Sequence, residues 1–373
     1  MRVVDLKIED IAFGGKGVAR EQGKAVFVPF TIEDELVSAE IVREKKQFAE
    51  ADLVQVKQAS PDRVQPQCPY FGRCGGCAYQ HISYEHQLAI KWRQVREALE
   101  RIGKLRNVPM RPIIPAPDQY GYRNRITVHA QEGVIGFFRR DSHRLIDIEH
   151  CPISNGEVNH ELAELRKRNP RDGHYTLRAS SGARVFSQTN DVVASSLRDL
   201  VVDLVPPDQP LLIDAYCGGG FFAKALLDKF ERVIGIDWDR FGIAAAKENA
   251  TSKETYIAGD MEVELEQVGA VHLNRPPRAG EHDGDGRLRS IAPTFEREKT
   301  TLIVDPPATG LSANVRKTIV EIAPPTLIYV SCNPPTLARD LRELQQKFTI
   351  ESVTPLDMFP QTAEIEVLVH LHA

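Results

Sequence analysis

The chain has 373 residues, which is enough for two or three domains of ordinary size. Hydrophobic residues make up 42% of it and charged residues 27%, a balance that is typical of a globular protein and argues against a largely disordered chain. The sequence has no run of about 18 apolar residues, and its first ten residues are too charged for a secretory signal. We therefore expect no membrane span and a cytoplasmic location.

Charge is unevenly distributed along the chain, although the net charge is only −5. Residues 78–150 contain 12 Lys and Arg against 8 Asp and Glu, a local excess of four positive charges. Because an acidic enzyme can still bind nucleic acid through one basic face, this pattern permits RNA as a partner without requiring it.

The first 58 residues contain short alternating runs of apolar and polar residues, as β-strands do. Candidate strands are residues 25–30, 36–42 and 52–56, and glycines around Lys16 form a turn. Short strands joined by glycine turns predict a small, OB-like β-barrel as a first domain, 1–58. A β module that binds no ligand is the alternative on this pattern alone.

Residues 59–192 are predicted to form a second, β-rich domain that also contains one helix, over residues 83–102. One face of this helix carries the apolar residues Leu88, Trp92, Val95, Leu99 and Ile102. The opposite face carries Lys91, Arg93, Arg96 and Arg101. We interpret the charged face as solvated, with RNA contact as the alternative. Strand candidates in this domain are residues 126–130, 133–138 and 184–187.

Four of the six cysteines are candidates for a metal site. Cys68, Cys74 and Cys77 fall within ten residues, and Cys151 is a remote fourth. Four thiolates suit an iron–sulfur cluster or a zinc ion. Zinc ribbons usually have two short cysteine pairs, whereas one triplet with a distant fourth ligand favours a [4Fe–4S] cluster.

From about residue 195, buried strands alternate with helices, which predicts a doubly wound α/β domain, 193–373. The predicted strands are residues 211–215, 233–237, 255–257, 301–305 and 326–330. Helices are expected over residues 222–228 and 241–249. Residues 274–289 lack apolar periodicity and are interpreted as an inserted surface loop.

A glycine-rich turn, residues 214–221, follows the first of these strands and leads into a helix. Asp237 ends the next strand, where a carboxylate can accept hydrogen bonds from both ribose hydroxyls. Asp260 follows the third strand, where it could meet an adenine amino group. The three features favour a nucleoside cofactor without phosphates, such as S-adenosylmethionine. A purely structural turn with two unrelated acids is the alternative.

Three further motifs lie at the ends of later predicted strands. Asp305-Pro306-Pro307 ends the fourth strand, a turn that amino-directed methyltransferases also use. Cys332 ends the fifth strand and is placed as a nucleophile, with an inert buried cysteine as the alternative. Glu366 begins a final strand among apolar residues, and such a carboxyl tends to have the raised pKa that suits proton transfer. A surface salt bridge is the alternative for Glu366.

In combination, these motifs resemble those of the RNA (uracil-5-)methyltransferase family over nearly the whole chain. The further motifs that carry the resemblance are Phe186-Ser187-Gln188-Thr189-Asn190, Asp214-Ala215-Tyr216-Cys217-Gly218, Ser331-Cys332-Asn333-Pro334 and Asp357-Met358-Phe359-Pro360. The resemblance implies a TRAM domain in 1–58, a central iron–sulfur domain in 59–192 and a Rossmann-like class I methyltransferase domain in 193–373. It also implies a monomer that methylates C5 of a uridine in RNA, with ribosomal RNA expected first and tRNA second.

The resemblance assigns roles residue by residue. It makes Cys332 the nucleophile that adds to uracil C6 and Glu366 the base. From the chemistry, we assign polarisation of the uracil edge partly to Asp305. The S-adenosylmethionine pocket is expected from Gln188, Tyr216, Phe221, Asp237, Asp260 and Asp305. RNA contacts are expected from Lys16, Arg20, Arg123, Arg125, Arg139 and Arg140. Ala308 stands where the family often has Arg, and Gln361 where it often has His.

Three other functions remain open at this point. An amino-directed methyltransferase acting through Asp305-Pro306-Pro307 would not need Cys332, so a Cys332→Ala variant distinguishes it. An RNA cytosine-5 methyltransferase also uses a cysteine nucleophile, and the products distinguish it from a uridine enzyme. A non-catalytic RNA-binding module would keep the fold without binding S-adenosylmethionine.

Overall fold

A computed structural model describes residues 2–140, 142–179, 188–272 and 300–373 of the chain. The predicted strand at 184–187 and the predicted surface loop at 274–289 lie outside these residues. In the described part, the strands form a closed barrel, a four-stranded sheet and a seven-stranded sheet.

The N-terminal unit is the barrel, and its strands are β1 (Arg2–Ile11), β2 (Lys16–Glu21), β3 (Lys24–Pro29), β4 (Leu36–Glu44) and β5 (Phe48–Gln58). The strand order is β1-β2-β3-β5-β4, and β1 closes the barrel by pairing with β4. Alternate residues such as Leu6, Ile8, Val26 and Val28 point inward and are buried, which is the pattern that small barrels need. The predicted barrel is confirmed.

The central unit contains two helices and the four-stranded sheet. Its elements are α1 (Tyr84–Arg101), β6 (Arg125–Gln131), β7 (Val134–Phe138), β8 (Leu145–Asp147), α2 (Gly156–Lys167) and β9 (Gly173–Arg178). The sheet order is β8-β7-β6-β9, with antiparallel neighbours. Val158, Leu162 and Leu165 of α2 pack on one face of this sheet, against Ile126 and Leu177 among others.

The predicted apolar and charged faces of the first helix need correction. Helix α1 buries Val95 and Leu99, as expected, but Ile102 just beyond it is 42% exposed. Lys91, predicted to be solvated or to contact RNA, is completely buried and lies with its Nζ 2.6 Å from Oδ1 of Asp357. The prediction was wrong because α1 is packed on more than one side, so a charged residue on the second side meets a partner far away in sequence.

The C-terminal unit is an α/β domain whose strands are β10 (Gln209–Ala215), β11 (Phe230–Asp237), β12 (Glu254–Ala258), β13 (Thr300–Val304), β14 (Thr326–Ser331), β15 (Thr349–Leu356) and β16 (Glu366–His372). Its helices are α3 (Asp191–Leu204), α4 (Phe221–Leu226), α5 (Arg240–Glu248), α6 (Met261–His272), α7 (Ala313–Ile322) and α8 (Pro334–Leu344). The sheet order is β12-β11-β10-β13-β14-β16-β15. The predicted doubly wound domain is confirmed.

The order of the strands fixes where a ligand can bind. The chain runs outward from β10 to β12 and then crosses to β13 on the other side of β10, so the order reverses between β10 and β13. Ligands of open α/β sheets bind at such a reversal, outside the carboxyl ends of the strands. Strand β16 runs antiparallel between β14 and β15, so its first residue lies at that same carboxyl edge.

Among the helices of the described residues, none is both long enough and apolar enough to cross a membrane.

Candidate active site

Three neighbouring strands bring Asp305, Cys332 and Glu366 to one edge of the large sheet. Asp305 directly follows β13, and Cys332 directly follows β14, which is the parallel neighbour of β13. Glu366 is the first residue of antiparallel β16, and the register pairs its successor Val367 with Ser331, the residue before Cys332. The fold therefore groups the predicted nucleophile and the predicted base with the Asp-Pro-Pro acid.

Burial and mutual repulsion govern the protonation of these groups. The pKa of Cys332 is raised to about 12, first by burial and then by the carboxyls of Glu366 and Asp305. Glu366 is only 3% exposed, and burial followed by the neighbouring Asp305 holds its pKa well above the usual value. Burial also raises the pKa of Asp305 to about 7, with a smaller contribution from Asp237. These effects favour the protonated thiol of Cys332 and the neutral forms of the two carboxyls.

The carboxyl ends of β10 and β11 lie beside this trio and are the candidate crevice for a ligand, because ligands of such sheets bind there. The backbone N–H of Gly218 donates to Oδ2 of Asp237 at 2.8 Å, and the N–H of Asp239 donates to Oδ1 at 2.8 Å. Gly218 and Gly220 have φ angles of 53° and 84°, which glycine adopts without strain. The glycine-rich turn thus holds the Asp237 carboxylate in one orientation, while lone pairs on both oxygens remain for ribose hydroxyls.

The structure also gives the surroundings of the other residues predicted to bind the cofactor. The carboxylates of Asp260 and Asp237 are among the charges that raise the pKa of Tyr216, after burial. The Asp260 side chain also accepts the N–H of Glu262 at 2.8 Å at the start of α6. Phe221 begins α4 and is 36% exposed. Gln188 is held through its carbonyl, which accepts a hydrogen bond from Asn124 Nδ2 at 2.9 Å.

Asp214 has a more unusual environment than the sequence indicated. It is completely buried inside β10, and its Oδ2 accepts the N–H of Ala223 at 2.9 Å, whereas its Oδ1 has no hydrogen-bond partner. Burial raises its pKa to about 8. The sequence signal was an acid inside an otherwise apolar strand, Leu211-Leu212-Ile213-Asp214-Ala215.

The segment that leads into Glu366, residues 357–362, is held by the central unit. Lys91 Nζ donates to Asp357 Oδ1 at 2.6 Å and to the carbonyl of Phe359 at 3.0 Å. Gln87 and Gln361 exchange two hydrogen bonds of 3.0 and 3.1 Å, and Tyr122 Oη donates to the carbonyl of Pro360 at 2.9 Å. The sequence did not show that Lys91, Gln87 and Tyr122 bind this segment, because their hydrogen-bond partners lie more than 230 residues away along the chain.

The loop with three cysteines is tied to the same segment. The N–H groups of Ala78 and Tyr79, which follow Cys77, donate to the carbonyl of Gln361 at 3.1 and 2.9 Å. The loop that contains Cys68, Cys74 and Cys77 is therefore hydrogen-bonded to the segment that leads into Glu366.

The four predicted cysteine ligands line one cavity of about 450 Å³. Burial is the first cause of the raised pKa of Cys77, which is about 12, and the neighbouring thiols Cys151, Cys74 and Cys68 raise it further. Cys151 is fixed by its N–H, which donates to Asn159 Oδ1 at 2.8 Å. Within the described residues, however, no group of three or more His, Cys, Asp or Glu is arranged to hold a metal ion. The cluster therefore stays a prediction.

The fold and the crevice define a Rossmann-like methyltransferase preceded by a small β-barrel. A family model described as tRNA (Uracil-5-)-methyltransferase matches residues 164–373, and a TRAM domain model matches residues 1–54. The chain therefore belongs to the tRNA (Uracil-5-)-methyltransferase family, whose members are S-adenosylmethionine-dependent RNA methyltransferases. This confirms the predicted fold class and the predicted class of enzyme.

Similar proteins agree with this assignment. An uncharacterized RNA methyltransferase of Protochlamydia amoebophila is 31% identical over 99% of this chain and 97% of its own length. Another from Bdellovibrio bacteriovorus is 31% identical over 99% of this chain and 94% of its own length. The structure of a Pyrococcus abyssi tRNA (uracil-54, C5)-methyltransferase in complex with S-adenosyl-L-homocysteine shares the fold, with 22% identity, a TM-score of 0.70 and coverage of 99% and 100% of the two chains.

Proposed function

We propose that this protein transfers a methyl group from S-adenosylmethionine to C5 of a uridine in RNA, through a covalent bond between Cys332 and C6 of the base. The observation that supports the proposal most is that Cys332, Glu366 and Asp305 lie together at one edge of the sheet. The glycine-rich turn that orients the Asp237 carboxylate lies next to them. Ribosomal RNA is the target that the sequence led us to expect. The matching family and the Pyrococcus abyssi enzyme are both named for tRNA, so tRNA is the second candidate.

The chemistry requires a nucleophile on the enzyme because C5 of uracil is by itself a poor nucleophile. When the sulfur of Cys332 adds to C6, the electrons of the C5–C6 double bond move onto C5, C4 and O4 as an enolate, which makes C5 nucleophilic. Bound S-adenosylmethionine would supply an electrophilic methyl group to C5; the bond between that methyl group and sulfur breaks, and S-adenosylhomocysteine leaves. The C5 proton must then leave as a proton, and its bonding electrons re-form the C5–C6 double bond while sulfur departs from C6. The net reaction releases one proton.

The neighbouring carboxyls provide the proton transfers. Because the thiol of Cys332 is protonated in the free enzyme, a carboxylate must accept its proton as sulfur attacks. Asp305, whose pKa is about 7, is partly ionised at neutral pH and can also hydrogen-bond the uracil edge. Glu366 removes the C5 proton in this proposal, and its raised pKa makes its ionised form a stronger base than an ordinary carboxylate.

The crevice accounts for donor binding. We assign the ribose hydroxyls to Asp237, because its carboxylate is already oriented by two backbone N–H groups. Asp260, Tyr216, Phe221 and Gln188 complete the proposed pocket around the nucleoside and its sulfonium chain.

We also propose that Cys68, Cys74, Cys77 and Cys151 hold a [4Fe–4S] cluster. Support comes from the cavity that all four cysteines line and from the repulsion between their ionised thiolate forms, which a cationic iron core would relieve. Its role would be structural, because methyl transfer moves no electrons and the cysteine loop is hydrogen-bonded to Gln361 in the segment before Glu366.

Nucleoside mass spectrometry tests the proposal. Ribosomal RNA and tRNA from a strain lacking the gene are incubated with the wild-type enzyme or with Cys332→Ala, and binding of S-adenosylmethionine is measured for both proteins. We expect 5-methyluridine from the wild type only, with donor binding preserved in the variant. Formation of 5-methylcytidine would favour the cytosine enzyme, full activity of Cys332→Ala would remove the nucleophile, and failure of the wild type to bind the donor would favour a binding module.

A further inference from the structure

The turn between the first two barrel strands leaves no room for a side chain at Gly15. Gly15 is buried, has a φ angle of 88° and donates its N–H to the carbonyl of Ala12 at 2.9 Å. A Cβ atom at this position would lie 2.8 Å from Cβ of Ala78 and 3.1 Å from Cε1 of Tyr79. Non-bonded carbon atoms prefer a separation of about 3.5–4.0 Å. Because Cβ of Ala78 is attached directly to the backbone, it cannot rotate away, so the turn and the residues after Cys77 are in close backbone contact.

A small apolar core lies where this turn meets the other two units. Its buried members are Ile11 and Ile32 from the barrel unit and Tyr79, Ile82 and Ile90 from the central unit, and Ala363 of the C-terminal unit packs against them. Helix α1 holds the turn in place, because Gln94 Nε2 donates to the carbonyl of Ile11 at 3.0 Å and to Tyr79 Oη at 3.2 Å. The barrel, the central unit and the segment before Glu366 therefore meet at one packed point.

Gln361 carries this contact towards the catalytic strand. Its carbonyl accepts the N–H groups of Ala78 and Tyr79, and its side chain and N–H are bound by the side chain of Gln87. Gln361 has a φ angle of 69°, a left-handed conformation that residues other than glycine keep only when their surroundings hold them there. The segment from Gln361 leads directly into Glu366, the first residue of β16. The direction of this segment is thus fixed by contacts from outside the catalytic domain.

We propose that the barrel positions the general base of the reaction. The contact of Gly15 with Ala78 and Tyr79 fixes their N–H groups, these groups hold Gln361, and Gln361 sets where its segment presents Glu366 at the sheet edge. Gly15 is therefore a positioning residue for removal of the C5 proton, and the barrel contributes to catalysis in addition to any contact with RNA. The inference rests on the proposed function, in which Glu366 takes that proton.

Steady-state methylation by the full-length protein tests the proposal, with RNA extracted from a strain lacking the gene as substrate and S-adenosylmethionine at saturation. Gly15→Ala forces Ala78 and Tyr79 to move, and a misplaced catalytic group is expected to lower kcat by about 10- to 100-fold without a rise in the KM for RNA. In the proposed mechanism Cys332 adds before Glu366 acts. A larger share of the variant should therefore be trapped as a covalent protein–RNA complex, which a denaturing gel measures.

Gly14→Ala and Gly23→Ala are matched controls in the same barrel. Both glycines have left-handed φ angles, 94° and 81°, but a Cβ atom at either position would have no atom of a non-adjacent residue within 4 Å. These variants bear the backbone strain of Gly15→Ala without its clash, so kcat and the trapped share should stay at the wild-type values. The double variant Gly15→Ala/Ala78→Gly removes the nearest clashing atom and should recover most of the lost kcat. Gln94→Leu releases the same turn without adding an atom to it, and should also lower kcat and raise the trapped share.

The positioning role is refuted if Gly15→Ala turns over as fast as Gly14→Ala, or if only its KM for RNA rises, as expected of a barrel that does no more than bind RNA. A lower kcat with less trapped complex also refutes it, because the defect then precedes proton removal, and so does a double variant that regains no activity. Gln94→Leu decides the question in the same way should Gly15→Ala not fold. A wild type that makes no 5-methyluridine refutes the proposed function itself, whereas the other results leave that function intact.

Discussion

The buried ion pair between Lys91 and Asp357 gives the sharpest prediction about stability. Both side chains are 0% exposed, and the Nζ–Oδ1 distance is 2.6 Å. Lys91 also donates to the carbonyl of Phe359, whereas Oδ2 of Asp357 has no hydrogen-bond partner. Lys91→Met removes the positive charge and leaves a carboxyl buried without its partner.

We expect Lys91→Met to lower the free energy of unfolding by about 3–5 kcal/mol, the usual cost of breaking a buried pair from one side. Burial lowers the pKa of Lys91 while Asp357 opposes that shift, so the pair is held together against a desolvation penalty. The double variant Lys91→Met/Asp357→Leu should recover much of the loss, because both charges then leave the interior.

Urea unfolding followed by circular dichroism measures these differences, with Lys317→Met as the control. Lys317 and Glu321 form an exposed pair on α7 at 3.8 Å, so the control should change stability by less than about 1 kcal/mol. The ion pair does not hold residues 357–362 as we argue if Lys91→Met lowers the free energy of unfolding no more than the control does. The same conclusion follows if the double variant is less stable than Lys91→Met and Asp357→Leu measured singly.

Three further predictions concern protonation and the cluster. The rate of methylation should rise between pH 6 and 9, because the pKa of Cys332 is raised to about 12 and that of Asp305 to about 7, so the thiolate and the Asp305 carboxylate are scarce at pH 6. A flat or falling profile would contradict these assignments. Burial in the folded state raises the pKa of Asp214 to about 8. The stability that its protonated carboxyl contributes is therefore fully present below about pH 4 and is lost as the pH rises through 8. The free energy of unfolding changes by about 1.4 kcal/mol for each unit of pKa shift. Asp214→Asn should flatten that part of the stability profile in urea titrations, and an unchanged slope would refute the burial argument. Anaerobically prepared wild type should contain about four irons per chain and Cys77→Ser markedly fewer, measured by elemental analysis, whereas one zinc in a colourless wild type would disprove the cluster.

Local patterns predicted much of the fold. Alternating residues such as Val26 and Val28 indicated the barrel, and the apolar run before Asp214 indicated a parallel strand. The placement of Asp305 and Cys332 on one edge also followed, because parallel strands end at the same edge of a sheet.

These local patterns could not predict contacts between residues that are far apart in the sequence. Nothing local shows that β16 inserts between β14 and β15, which is what brings Glu366 to the site. The burial of Lys91 depends on an acid 266 residues away, so helical periodicity placed it on the wrong face. Strand β9 was not identified in the sequence, so its antiparallel pairing with β6, which sets Thr127 opposite Thr176, is known only from the structure.

The most direct test of the covalent mechanism is a trapped complex between the enzyme and RNA. In the Glu366→Gln variant, the Cys332 sulfur should still add to C6 of the uridine, and C5 should still take the methyl group. The variant should fail to remove the C5 proton, so the covalent protein–RNA complex should persist and survive a denaturing gel. Glu364→Gln, an exposed neighbour two residues earlier, should turn over normally, and Glu366→Gln/Cys332→Ala should give no such species. Normal turnover by Glu366→Gln without any covalent species, or a species that persists without Cys332, would contradict the mechanism.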